Sequence, residues 1–412
     1  MQPVYDELRE ELRHDLEWSP QLTNEELKDL IERRIFGSKQ ARRLSTGEKL
    51  ALAERLFHSF RGLDVLQPLV DDPSITEIMI NGAKEVFVER NGITEKSDVV
   101  FESEEKLEDL IQAIVGRVNR VVNESSPIVD ARLDDGSRVN VVLPPISLNG
   151  PAVTIRKFPE RPYTLDELTG LGTLPREVAD LLKKLVEAKY NMFISGGTGS
   201  GKTTLLNALA QYIPKHERVI TIEDSAELKI TGVENLVSLE TRNANTEGKG
   251  QITIRDLIRT SLRMRPDRII VGEVRGPEAY DMLQAMNTGH EGSLSTGHGN
   301  TVRDMLDRLE TMVLSGMQLP LDAIRRQICS AIDIMIHLSR MRDGSRKVTE
   351  IAEIAGMKDG EIRLNTIYRL DERSTPPEEE EGRQSFKARK KEDFGLIRLE
   401  KWRKAGLSWN AG

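Results

Sequence analysis

One run limits the possible folds of this chain more than any other: Gly196-Gly197-Thr198-Gly199-Ser200-Gly201-Lys202-Thr203, followed by Thr204. It satisfies G-x-x-x-x-G-K-[ST]. The apolar Asn191-Met192-Phe193-Ile194-Ser195 leads in as a buried strand would, and Leu205-Leu206-Asn207-Ala208-Leu209-Ala210 leads out as a helix would. Glycines let the backbone curl until successive N–H groups converge on an anion, and the helix N-terminus adds partial positive charge. In this context Lys202 is expected to pair with the β and γ phosphates of a nucleotide and Thr203 to offer its hydroxyl to Mg²⁺, with the backbone from Gly196 to Thr204 as the cradle. A glycine-rich turn holding a chance lysine would not need these flanks.

Further short strands are expected at Val219 to Ile222, Leu236 to Leu239, Arg268 to Val271 and Ser293 to Thr296, separated by helices. This is the rhythm of an α/β domain with a largely parallel sheet, whose ligand sits at the carboxyl ends of the strands. Three polar clusters fall there. Glu223 and Asp224 end one strand, where a carboxylate can hold Mg²⁺ or polarise water; the alternative is an acid stabilised by a helix dipole. Arg268-Ile269-Ile270-Val271-Gly272-Glu273 ends another, with Gly272 where an aspartate usually follows, so Glu273 is left to orient water. Gly289-His290-Glu291-Gly292-Ser293-Leu294-Ser295-Thr296-Gly297-His298 supplies two glycine-hosted histidines, of which His298 is placed to sense a terminal phosphate. Metal ligation by these histidines is disfavoured, because no cysteine or H-x-x-x-H helix accompanies them.

Upstream, three amphipathic helices open the chain: Leu8, Leu12 and Leu16 share a face, and capping boxes at Thr23/Glu26 and Ser45/Glu48 start the next two. From Leu63 to Phe158 strands and one helix alternate, with turns at Asn91-Gly92 and Asp135-Gly136, as in a compact α+β domain. The expected division is a helical extension over 1–62, an α+β domain over 63–158, a linker over 159–174, a nucleotide-binding domain over 175–370 and a charged tail over 371–412. The tail carries Pro376-Pro377, an acidic run at Glu378 to Glu381 and a basic run from Lys387, with a short docking helix possible near Trp402. Charge developing on a transferred phosphoryl group needs a cation, which can come from a neighbouring domain or subunit. Arg138 and Arg156, on strands of the first domain, are favoured for this over Arg132 or the face Arg255, Arg259 and Arg263.

A net charge of −8 over 412 residues argues against a generic nucleic-acid binder. No apolar run approaches the roughly 20 residues that span a bilayer, and nothing at the N-terminus resembles a secretion signal, so a cytoplasmic protein is expected. Cys329 is alone, which excludes an internal disulfide.

The ordered set 196–203, Thr221-Ile222-Glu223-Asp224, 262–275 and 289–298 resembles the phosphate loop, Asp box, second nucleotide motif and His box of the type II and type IV secretion ATPases. Ile75 to Gly82, Asp130 to Asn140 and Thr154 to Phe158 resemble its CpaF branch, the motor of tight-adherence (Flp-type) pili, and the likeness runs from about Leu63 to Leu370. Gly299 departs from the alanine common there. The resemblance implies a homohexameric ring of subunits, each with a PAS-like N-terminal domain and a RecA-like P-loop NTPase C-terminal domain. It further implies ATP and Mg²⁺ in the interdomain cleft, arginines of the N-terminal domain reaching the nucleotide, and a polytopic platform protein of the cytoplasmic membrane as partner. The expected function is hydrolysis of ATP to power pilus assembly or protein secretion, peripherally at that membrane. A DNA-associated RecA-like translocase and a nucleotide-gated scaffold that barely turns over are the alternatives.

Overall fold

The structure, a computed structural model, describes residues 2–17, 22–90, 92–118, 120–158, 161–244, 248–370, 388–389 and 395–407. Apart from 388–389, the tail runs at 376–391 lie outside the described residues, as do Asn91 and Trp409. Contacts divide the chain into two units, Met1–Pro159 and Glu160–Gly412.

The first unit opens with helices α1 (Gln2–Glu17), α2 (Asn24–Gly37) and α3 (Thr46–Arg61). Both expected capping boxes form, Thr23 with Glu26 and Ser45 with Glu48, satisfying amides that would otherwise be orphaned at the helix starts. Leu8, Leu12, Leu27, Ile31, Leu52 and Leu56 make a small core of their own. A short helix α4 (Gln67–Asp71) leads into β1 (Ile75–Asn81), β2 (Val86–Arg90), β3 (Ile93–Lys96), helix α5 (Glu104–Arg117), β4 (Ile128–Arg132), β5 (Arg138–Val142) and β6 (Ala152–Arg156). The strands form an antiparallel sheet in the order β3-β2-β1-β6-β5-β4. Alternate residues such as Ile78, Ile80, Val139, Val141, Val153 and Ile155 are buried with one face of α5, the expected alternation of a sheet covered on one side.

The second unit holds α6 (Leu165–Gly170), α7 (Arg176–Glu187), β7 (Met192–Gly196), α8 (Lys202–Ala210), β8 (Arg218–Glu223), β9 (Asn235–Glu240), α9 (Ile254–Ser261), β10 (Arg268–Val271), α10 (Glu278–Asn287), β11 (Leu294–His298), α11 (Val302–Gly316) and α12 (Leu321–Ala331). The antiparallel β12 (Ile334–Arg340), β13 (Arg346–Lys358) and β14 (Glu361–Leu370) follow, then β15 (Ala388–Arg389) and α13 (Glu400–Lys404). The sheet order is β15-β14-β13-β12-β7-β11-β10-β8-β9. From β12 to β9 all neighbours are parallel, and β7 lies between β11 and β12. Every residue of β7 is buried, consistent with a central parallel strand covered on both faces; full burial of each large apolar side chain there contributes about 1.5–3 kcal/mol.

One expectation needs amendment. The stretch expected as a linker, 159–174, contains helix α6, which starts on a capping box at Thr164 and buries Leu165 and Leu168 in the core that holds β7. The C-terminal segment does dock: Trp402 is buried in that same core, and the wholly buried Glu353 accepts the backbone amides of Ile397 and Arg398 at 2.7 and 2.6 Å. Lys401 adds an ion pair to Asp333 at 2.8 Å. No helix among the described residues is long and apolar enough to cross a membrane.

Candidate functional site

The parallel register brings the polar clusters to one edge. Gly196 ends β7 opposite His298 of β11, and Glu223 ends β8 beside the turn that follows β10. Gly199 and Gly201 adopt φ of +68° and +94°, a left-handed backbone that a side chain would strain, and Gly201 stands as N-cap of α8. A Cβ on Gly196 would come within 2.5 Å of Leu338 O and Ser200 Oγ, so the loop has no room for one. The Lys202 ammonium folds back onto the carbonyls of Gly196 and Gly197 at 3.2 and 3.0 Å.

The same ammonium lies 3.4 Å from His298 Nδ1. A cation on that side makes Nδ1 the acceptor, so the proton of the neutral ring belongs on Nε2. Burial and the Lys202 charge both hold the imidazole pKa below its usual value, so the ring stays neutral. Nε2 stands 2.7 Å from Glu273 Oε1, off the hydrogen-bond direction, so the contact counts as close electrostatic approach. The other oxygen of Glu273 accepts from Arg275 Nε at 2.9 Å, and Arg275 reaches Asp224 at 3.9 Å. Lys202, His298, Glu273 and Asp224 thus join one chain of contacts across three strand ends.

Glu223 is arranged differently. Its Oε1 accepts the amides of Glu227 and Leu228 at 2.9 and 3.0 Å, yet burial dominates and pushes its carboxyl up to about 7. At neutral pH it sits near half-protonation, and a nearby cation would favour the charged form. No group of three or more potential ligands that could cage a metal occurs among the described residues. Mg²⁺ typically keeps water and phosphate oxygens and takes only one or two protein groups. The phosphate cradle and its lysine fit a nucleotide.

His290 turns away to the carbonyl of Ala285 at 3.1 Å, closing the end of α10. Arg255 and Arg259 converge on the buried Asp281 at 2.6 and 2.9 Å, so both are engaged in structural ion pairs. In the first unit, cross-strand pairing sets Glu77, Arg156, Arg138 and Arg132 in one row over β1, β6, β5 and β4. Two residues escaped sequence reasoning. His337, hidden in the apolar run Ile334 to Leu338, holds Ser195 Oγ at 2.9 Å beneath the phosphate loop. Arg346, on the β12–β13 hairpin, donates to the Gly199 carbonyl at 2.8 Å. The basic turn Met341-Arg342-Asp343-Gly344-Ser345-Arg346-Lys347 was the available signal, but only the pairing of β12 with β7 points it at the loop.

Residues 60–383 match the family described as type II/IV secretion system protein. The chain belongs to that family. A relative from this group, the Mycobacterium tuberculosis (strain H37Rv) protein Rv3659c, named for conjugal transfer, is 34% identical over 335 residues, 80% of this chain and 94% of its own. VirB11, a type IV secretion system protein of Brucella suis, is 35% identical over 318 residues, covering 70% of this chain and 88% of the relative. Among solved structures, the Legionella pneumophila ATPase DotB aligns with a TM-score of 0.50 at 24% identity, over 69% of this chain and 78% of DotB. The pilus retraction motor PilT with bound ADP aligns at 0.51 and 21%, over 70% and 81%. As in those structures, the secretion-family fold here is a RecA-like ATPase domain preceded by an N-terminal domain.

Proposed function

We propose that this chain is a Mg-ATP-hydrolysing motor of a type II/IV secretion machine. The observation that carries the reading is the contact chain from Lys202 through His298 to Glu273, built from the start of α8 and the ends of two strands around a phosphate cradle. In this reading Lys202 leaves the Gly196 and Gly197 carbonyls to pair with the β and γ phosphates, and the Gly196–Thr204 backbone holds them. Thr203 and Glu223 hold Mg²⁺, which draws charge from the phosphate oxygens when bound. Glu273 orients the attacking water, with Asp224 assisting through Arg275. His298, released when Lys202 moves, senses the terminal phosphate. Arg138 and Arg156 are the arginines proposed to stabilise the developing charge; they are cross-strand neighbours on the first unit's sheet.

The finer assignment is a homohexamer of the tight-adherence branch, supported by the motifs at 75–82, 130–140 and 154–158. It works peripherally at the cytoplasmic face with a polytopic platform protein and powers pilus assembly or protein export. The domain division 1–62, 63–158, 159–174, 175–370 and 371–412 is retained with α6 assigned to the nucleotide domain. An acidic balance of −8 weighs against a DNA-associated translocase.

A steady-state phosphate-release assay on the full chain and on Lys202→Ala and Glu273→Gln tests the enzyme. Loss of turnover in both is expected, and undiminished turnover in both overturns the assignment. Capture of the platform protein by the Glu273→Gln variant tests the motor's place.

A further inference from the structure

The phosphate loop is held from outside by a residue of the antiparallel hairpin. We propose that Arg346 is a positioning residue for nucleotide binding: by fixing the Gly199 carbonyl it aims the loop's amides at a polyphosphate and adds a cation behind them. This rests on the nucleotide-binding reading above.

Four observations carry it. First, β12 runs parallel to β7 with Leu338 opposite Gly196, so the end of the β12–β13 hairpin lies just beyond the start of the loop. Arg346 is the cross-strand partner of Arg340 there. Second, the hairpin is a stiff arm. Met341 N donates to Ser345 O at 2.8 Å, Gly344 N to Met341 O at 3.0 Å, and Ser345 N to Asp343 Oδ1 at 2.9 Å, with Gly344 at φ +80°.

Third, the contact is directional. Arg346 Nε donates to Gly199 O at 2.8 Å, and its aliphatic stem lies along the loop, 3.4 Å from where a Cβ on Gly201 would be. A trans peptide points its carbonyl and the following N–H in opposite directions. Drawing the Gly199 carbonyl outward therefore turns the Ser200 N–H inward. In this structure that amide has only a long 3.4 Å contact with the Gly197 carbonyl, leaving it ready to exchange partners. Fourth, among the described residues no carboxylate pairs with Arg346, so no ion pair offsets its charge toward an anion in the loop.

Binding of a fluorescent, non-hydrolysable ATP analogue to the full chain tests this, with thermal unfolding of each nucleotide-free variant measured alongside. Arg346→Ala is expected to weaken the analogue about tenfold, with faster amide exchange at 199–201. Arg346→Lys, which keeps the charge and can reach the carbonyl, is expected to restore most of the affinity. An Arg346→Ala variant binding with the wild-type Kd overturns the proposal. If Arg346→Ala lowers the unfolding midpoint, Arg346→Lys decides: recovery of the midpoint without recovery of affinity also overturns it. A wild-type chain that binds no analogue overturns the nucleotide reading itself, which separates the two failures.

Discussion

Glu223 packs against Gly272 so closely that a Cβ on the glycine would lie 2.8 Å from its Cγ. The motif position that usually bears an aspartate is thus vacated for the carboxylate of the neighbouring strand. Gly272→Ala is expected to cost about 1–3 kcal/mol by overpacking, measured by denaturant unfolding. In a Glu223→Ala background, where the obstructing side chain is gone, the same change should cost clearly less. Equal costs in the two backgrounds would contradict the packing argument.

The raised Glu223 pKa of about 7 makes stability depend on pH. Between the unfolded value near 4.5 and about 7 the native state keeps a proton that the unfolded state has lost, so native binding exceeds unfolded binding and stability falls as pH rises. The contribution is fully present below 4.5 and is lost through about pH 7, by at most about 3 kcal/mol. Glu223→Gln should remove that slope. Unfolding free energies of the two proteins, measured from pH 5 to 8 without nucleotide, check this.

His298 titrates in the opposite sense. Burial and Lys202 lower its pKa, so just below the ordinary value of 6.5 the unfolded chain binds the proton that the native one refuses. Its contribution is present above 6.5 and is lost as pH falls toward the folded value. Turnover should also survive acidification past 6.5 as far as this residue is concerned. His298→Gln is expected to lose turnover while gaining relative stability over wild type on acidification, read from paired rate and unfolding profiles.

Arg268 is wholly buried, donating to Glu217 at 2.5 Å and to the carbonyls of Val186 and Gly292 at 2.7 and 3.3 Å. It ties the start of the segment bearing His298 to the strand bearing Glu273. Removing it leaves Glu217 buried with Lys189 as its remaining ion-pair partner among the described residues, at 3.2 Å. Arg268→Met is expected to destabilise by about 3–5 kcal/mol, with a matching fall in thermal midpoint.

What could be read from the chain alone was whatever is local. The loop from Gly196 to Thr203, the capping boxes at Thr23 and Ser45, and the βα alternation are patterns within a few residues, and the sheet follows from them. Helix α6 was hidden because Pro159 and Pro162 mark a break while the apolar face of Leu165 and Leu168 is only one turn long. His337 and Arg346 were hidden because their partners are about 140 residues away and meet only through the pairing of β12 with β7. Gly299 is legible only in space: a Cβ there would stand 3.0 Å from Met305 Cβ. That Arg255 serves a structural ion pair is likewise legible only once Asp281, 26 residues on, is seen to claim it.

The anchoring of residues 395–407 on the nucleotide domain is written entirely in short-range chemistry: an indole in an apolar cavity, two amides on Glu353, an ammonium on Asp333. Attachment of this kind is indifferent to how much chain precedes it. A truncation that removed this segment would strip the domain of a buried indole and take from Glu353 and Asp333 the partners it supplies.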